Sequence, residues 1–179
     1  LGAPPRSRLL PCGAPLDLFA ARPVPVREPG TPPRFVAVGR LSEEKGVMET
    51  LGAFERVRAE IPAAELVVIG DGPLAGALRE AVAGSPAGAG VRLAGRLAPE
   101  AVAAELAAAH VFVQHSREAG GWIEGFGVTL TEAGAAGLPL VASRFGGIPD
   151  QVEDGVNGLL FAPGDVPAQL ARVVVAEDT

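Results

Sequence analysis

RFVAVGRLSEEKGVMETLGAFERVRAEIPAAELVVI, residues 34–69, is the stretch whose pattern decides the fold. A short apolar run, Arg34–Val38, gives way to a glycine-flanked polar loop. A helix-period segment follows over 45–60, then a second apolar run, Glu65–Ile69. The same alternation continues outward. Further strands are predicted at Val91–Ala94, Val111–Gln114, Pro139–Ala142 and Gly158–Phe161, and helices at 74–84, 98–109, 127–137, 147–153 and 166–176. Near-continuous apolar strands imply burial on both faces, as in a parallel sheet covered by helices. The expected fold class is therefore α/β, a doubly wound, Rossmann-like parallel sheet, with a ligand at the carboxyl ends of its strands. The Gly/Ala/Pro-rich stretch 84–90 reads as a connector.

Composition narrows the function. The 179 residues fit one domain, and a hydrophobic content of 48% supplies a core. With 4% aromatics and no Tyr, that core is built from Ala, Val, Leu and Ile. The formal charge of −6 argues against a nucleic-acid partner, which needs a basic face. A polyanionic ligand would have to be held by a few locally placed cations. Cys12 is the only cysteine, so no intrachain disulfide forms, which fits a reducing compartment. No apolar stretch is long enough for a transmembrane segment. Residues 1–33 carry nine prolines and read as an extended lead-in, leaving 34–179 as the folded domain.

Chemistry concentrates after the strands. Gly39-Arg40-Leu41-Ser42-Glu43-Glu44-Lys45-Gly46 places two cations around a helix start, which suits a diphosphate or, more simply, a solvated loop. Glu124-Gly125-Phe126-Gly127-Val128-Thr129-Leu130-Thr131-Glu132 sets two carboxylates eight residues apart. On a continuous helix they would lie ~12 Å apart, about the span from a sugar ring across a diphosphate to a ribose. The plainer alternative is a capping acid and an exposed helix charge. Gly146-Gly147 permits close backbone approach or a tight turn, and Asp154–Gly158 reads as a hairpin-like turn. Gly70-Asp71-Gly72-Pro73-Leu74-Ala75 loosely matches a dinucleotide fingerprint, but the next strand leads into Arg96 rather than an acid, and Pro73 in a first helical turn explains the segment without a ligand. The two histidines, His110 and His115, have no cysteine neighbours, so no metal site is indicated; Asp-x-Asp, Walker and G-x-S-x-G motifs are absent. Ser116 beside His115 reads as structural.

Taken in order, these segments resemble the C-terminal domain of glycosyltransferase family 4 over roughly Leu10 to Leu170. Pro11-Cys12-Gly13…Asp17…Phe19, Gly39-Arg40-Leu41…Lys45-Gly46, Gly70-Asp71-Gly72-Pro73 and Gly95-Arg96-Leu97 each look like a family segment. The most specific is Glu124-Gly-Phe-Gly-x4-Glu132-Ala, similar to the family's Glu-x7-Glu signature. Gly146-Gly147-Ile148-Pro149, Asp154-Gly155 and Pro163-Gly164-Asp165 follow in family order.

The resemblance implies the C-terminal half of a GT-B enzyme that retains anomeric configuration, needs no metal or cofactor, and moves a sugar from a nucleoside diphosphate-sugar to an acceptor hydroxyl. Gly39, Arg40 and Lys45 would bind the diphosphate, Glu132 the ribose, Glu124 the transferred sugar, the amides of Phe126, Gly127 and Val128 phosphate or sugar oxygens, and backbone at Leu97 the base. An acceptor glycan, lipid or small molecule would be bound by an N-terminal domain outside this chain, leaving the chain itself with little activity. The expected location is cytoplasmic, or peripheral to a membrane through that other half. Two departures stand out: Asp150 replaces the family's usual Glu after Gly-Ile-Pro, and the segment 117–123 is longer than in many members. An epimerase or phosphorylase on the same architecture, and a dinucleotide-binding module, are the competing readings.

Overall fold

A computed structural model describes residues 13–19, 30–163 and 165. Six strands form one sheet: β1 (Arg34–Val38), β2 (Glu65–Ile69), β3 (Val91–Gly95), β4 (Val111–Gln114), β5 (Leu140–Ser143) and β6 (Gly158–Phe161). Every pairing is parallel, and the order is β3-β2-β1-β4-β5-β6. The α/β doubly wound, Rossmann-like sheet expected from the sequence is what the structure shows.

Period-2 alternation divides the strands' side chains between two cores. Phe35, Val111, Val113, Val141 and Phe161 meet Leu51, Phe54, Val57 and Leu78 of α2 (Val47–Glu60) and α3 (Ala75–Gly84) on one face. Val36, Phe112, Leu140, Ala142 and Leu160 meet Val102, Leu106, Leu130 and Ala133 of α4 (Pro99–Ala107) and α5 (Val128–Ala135) on the other. The helix α2 shows how sequence builds this. Val47, Thr50, Leu51, Phe54 and Val57 fall at helical spacing and are buried, and Pro62 just beyond Ile61 prevents continuation.

Chain reversal at the sheet centre positions the site. From β1 the chain steps outward to β2 and β3, then crosses through α4 to β4 on the other side of β1. The carboxyl ends of β1 and β4 therefore flank a crevice from which the connections diverge.

Four readings change. Leu16–Phe19 forms a single helical turn, α1, whose Phe19 is buried against α4 and α5, so these four residues are packed rather than extended. The turn at Asp154–Gly158 leads into parallel β6, with Asp154 accepting from the Leu160 amide, so it closes no hairpin. The segment 147–153 holds only a 3₁₀ turn, Ile148–Asp150. Pro73 lies before α3, not in its first turn, because Leu74 N–H donates to Leu41 O at 2.9 Å and holds the chain in a loop. The helix read at 166–176 lies outside the described residues, as do Pro11 and Cys12.

Candidate functional site

The loop after β1 turns through the 3₁₀ segment Glu43–Lys45 into α2 and carries Lys45 over the carboxyl end of β4. There its Nζ lies 2.5 Å from Oε2 of Glu124, across a sequence separation of 79 residues. Glu124 is 5% exposed. Its carboxylate also accepts from Gln114 Nε2 at 3.0 Å, Ser116 Oγ at 2.9 Å and, through Oε1, the Gly127 amide at 3.3 Å. A buried carboxylate is tolerated only when paired and hydrogen-bonded, and these four donors meet that condition. Gln114 is fixed in turn by Thr129, whose hydroxyl donates to its Oε1 at 3.1 Å.

The Glu124 loop is seated by Gly146 and Gly147. A Cβ on Gly146 would lie 2.2 Å from Glu124 O, and one on Gly147 would lie 2.3 Å from Gly125 O. The Gly147 amide donates to Glu124 O at 2.8 Å. The tandem glycines thus admit a neighbouring backbone.

Arg40 is exposed beside this pair and makes no ion pair among the described residues. Glu44's carboxyl is held below the usual range first by the Ser42 hydroxyl, with Arg40 and Lys45 adding their charges. Arg40 also borders a cleft of ≈ 530 Å³ lined by Gly39, Gly70, Gly72, Arg96 and Leu97. Six of the nine candidate residues thus fall into two groups. Lys45, Glu124 and Gly127 are joined by hydrogen bonds, while Gly39, Arg40 and Leu97 line the adjoining cleft.

Glu132 stands apart on α5, half-buried, with no carboxylate partner among the described residues. Burial raises its pKa above the ordinary carboxylate value. The stretch from Glu124 is helical only from Val128, so the ~12 Å separation expected of a continuous helix does not apply. Phe126 offers its carbonyl to Gln151 Nε2, and Val128 opens α5 behind a left-handed Gly127. Asp150, in the Ile148–Asp150 turn, is exposed.

Sequence reasoning missed Gln114, Arg96 and the role of Ser116, whose hydroxyl serves the Glu124 carboxylate. Polar residues closing an apolar strand at Gln114–Ser116 were the available signal. It also read Gly70 and Gly72 as an ambiguous fingerprint. Cβ atoms there would lie 1.8 Å from Gly39 O and 2.5 Å from Leu41 O, so packing of the β1 loop accounts for both glycines without a dinucleotide.

His115 is buried beneath the site, its Nδ1 3.1 Å from Thr50 Oγ1 and its ring edge-to-face with Phe161 at 4.9 Å. Its Nε2 has no hydrogen-bond partner among the described residues. Burial lowers its pKa from 6.5 to about 3. The unfolded imidazole gains a proton as pH falls through 6.5, whereas the folded one does not until about 3. Stability is therefore whole above 6.5 and declines below it by ~1.4 kcal/mol per unit. His115→Gln should flatten this decline between pH 6.5 and 4.5 in urea denaturation; the same slope in both proteins would contradict it.

Comparisons with known proteins bear on the family and the fold. The sequence pattern of the family described as "Glycosyl transferases group 1" matches residues 32–176. The amylovoran biosynthesis glycosyltransferase AmsK of Erwinia amylovora is 36% identical over 141 residues, covering 78% of this chain and 35% of its own. Sucrose-phosphate synthase from Thermosynechococcus elongatus superposes with a TM-score of 0.76 at 30% identity, over 96% of this chain and 44% of that one. HepE of Anabaena, solved in complex with UDP, superposes with a TM-score of 0.75 at 24% identity, over 92% of this chain and 45% of that one. The chain thus spans less than half the length of each of these proteins. No helix among the described residues is long and apolar enough to cross a membrane. From strand order to family pattern, these findings place the chain among the group 1 glycosyl transferases, the family to which it belongs.

Proposed function

We propose that this chain is the donor-binding domain of a retaining, metal-independent glycosyltransferase of family 4. In this reading it binds a nucleoside diphosphate-sugar whose sugar passes to an acceptor hydroxyl. The observation that carries the proposal is the Lys45–Glu124 pair, a cation and a buried carboxylate 2.5 Å apart beside the strand-order reversal, with Arg40 exposed next to it. A diphosphate leaving group gains charge as the glycosidic bond breaks. Lys45, Arg40 and the amino end of α5 are suited to offset that charge, where it develops, without a metal ion. Glu124, held from below by Gln114 and Ser116, is suited to accept from hydroxyls of the transferred sugar. Glu132 would accept from the ribose, and the cleft at Leu97 would take the base.

The UDP held by HepE makes UDP the first nucleotide to test, and the amylovoran biosynthesis in AmsK's name makes a growing glycan the first acceptor to test. That acceptor would be held by a second domain, with transfer taking place in the cytoplasm or at a membrane surface.

Because Lys45 pairs with Glu124, the two proposed subsites compete for one cation. Glu124→Gln should therefore leave UDP affinity unchanged or raised, and lower UDP-glucose affinity by ~10-fold or more. Titration calorimetry of both ligands checks this. Equal losses for UDP and UDP-glucose would contradict the assignment of Glu124 to the sugar.

A further inference from the structure

The segment 117–123 forms a small hairpin of defined geometry. Ala119 and Trp122 bridge in antiparallel fashion, and the Trp122 amide donates to Ala119 O at 3.1 Å. Gly120 and Gly121, at φ 61° and 79°, supply the two left-handed positions of so tight a turn. Arg117 ties the base to the Lys45 turn. Its guanidinium lies 2.9 Å from both Glu43 and Glu49, and its amide donates to Glu44 O at 2.9 Å. Exposed ion pairs of this kind contribute little stability, so their effect is to set the hairpin's position.

The tip of the hairpin reaches the site. Lys45 Nζ sits 4.7 Å from the centroid of the Trp122 ring, which is stacked on Phe145 at 6.4 Å and 29°. The ammonium that touches Glu124 is therefore also held over an aromatic face. We infer that Trp122 is a positioning residue for Lys45, and that the 117–123 hairpin holds the diphosphate-binding cation in register with Glu124. This rests on the function proposed above.

Lysine has a long, flexible stem and a point charge, so an unrestrained Lys45 would lose side-chain entropy on meeting a diphosphate. A cation–π contact reduces that loss because the ring restricts the ammonium before ligand arrives. A tryptophan that merely filled space would serve as well if replaced by any apolar side chain of similar bulk.

Trp122 is the only tryptophan, so the chain's tryptophan fluorescence comes from this ring alone. The chain and its Trp122→Phe and Trp122→Leu variants are titrated with UDP and with base-free inorganic pyrophosphate. Trp122→Leu should weaken both ligands by ~3- to 30-fold, while Trp122→Phe, which keeps a ring, stays within ~2-fold. Wild-type emission should change on saturation with pyrophosphate. Equal loss in both variants, wild-type affinity in both, or unchanged emission overturns the inference while leaving nucleotide binding intact. No binding of UDP, GDP, ADP or pyrophosphate by the wild-type chain overturns the proposed function, and this inference with it.

Discussion

Replacing Arg40 and Lys45 together by Ala is expected to lower nucleoside diphosphate affinity by ~100-fold or more. A charge-assisted hydrogen bond contributes ~1.5–3 kcal/mol, and two of them account for that factor. Arg96 is the one other cation lining the cleft, so little positive charge remains there to compensate. Losing Lys45 has a second consequence: Glu124 is left buried without its counter-ion, so its charge repels an incoming phosphate. Calorimetric titration of the double variant checks the effect, and affinity within ~3-fold of wild type would remove these residues from the diphosphate site.

Gly146→Ala should destabilise the fold by about 3 kcal/mol. The cost has two sources. Gly146 sits at φ 57°, where a side chain is strained, and its Cβ would lie 2.2 Å from Glu124 O, a backbone atom that cannot rotate away. Gly52→Ala is the natural control. It lies on the exposed side of α2 with nothing within 4 Å, so it should stabilise by ~0.5–1 kcal/mol. Urea denaturation of the two variants should therefore move in opposite directions. A Gly146→Ala protein as stable as wild type would show that the Glu124 loop shifts freely.

Strands were the most legible part of the sequence because each is a short apolar run closed by a glycine or polar residue. Five strands end within a residue of expectation, and β5 is displaced by one, to Leu140–Ser143. Helix ends were less legible. α4 closes at Ala107, not at 109, since an Ala-rich run carries no stop signal. Much of the site was not legible from local pattern. Lys45 and Glu124 meet across 79 residues through the strand-order reversal, and no local spacing encodes that meeting. Likewise, Gly146 and Gly147 read equally as close approach or a tight turn, and Gly70 and Gly72 only as a loose fingerprint; what approaches all four is the protein's own backbone. Trp122, inside a segment that the sequence marks only by its length, acquires meaning when the fold brings Lys45 over its ring.

The central claim, a metal-free nucleoside diphosphate site at the carboxyl ends of β1 and β4, is tested most directly by titrating the wild-type chain with UDP, GDP, ADP and NAD in EDTA at low salt. Saturable binding of one nucleoside diphosphate with no response to NAD is the predicted result. Binding of NAD alone would contradict it and assign the crevice to a dinucleotide.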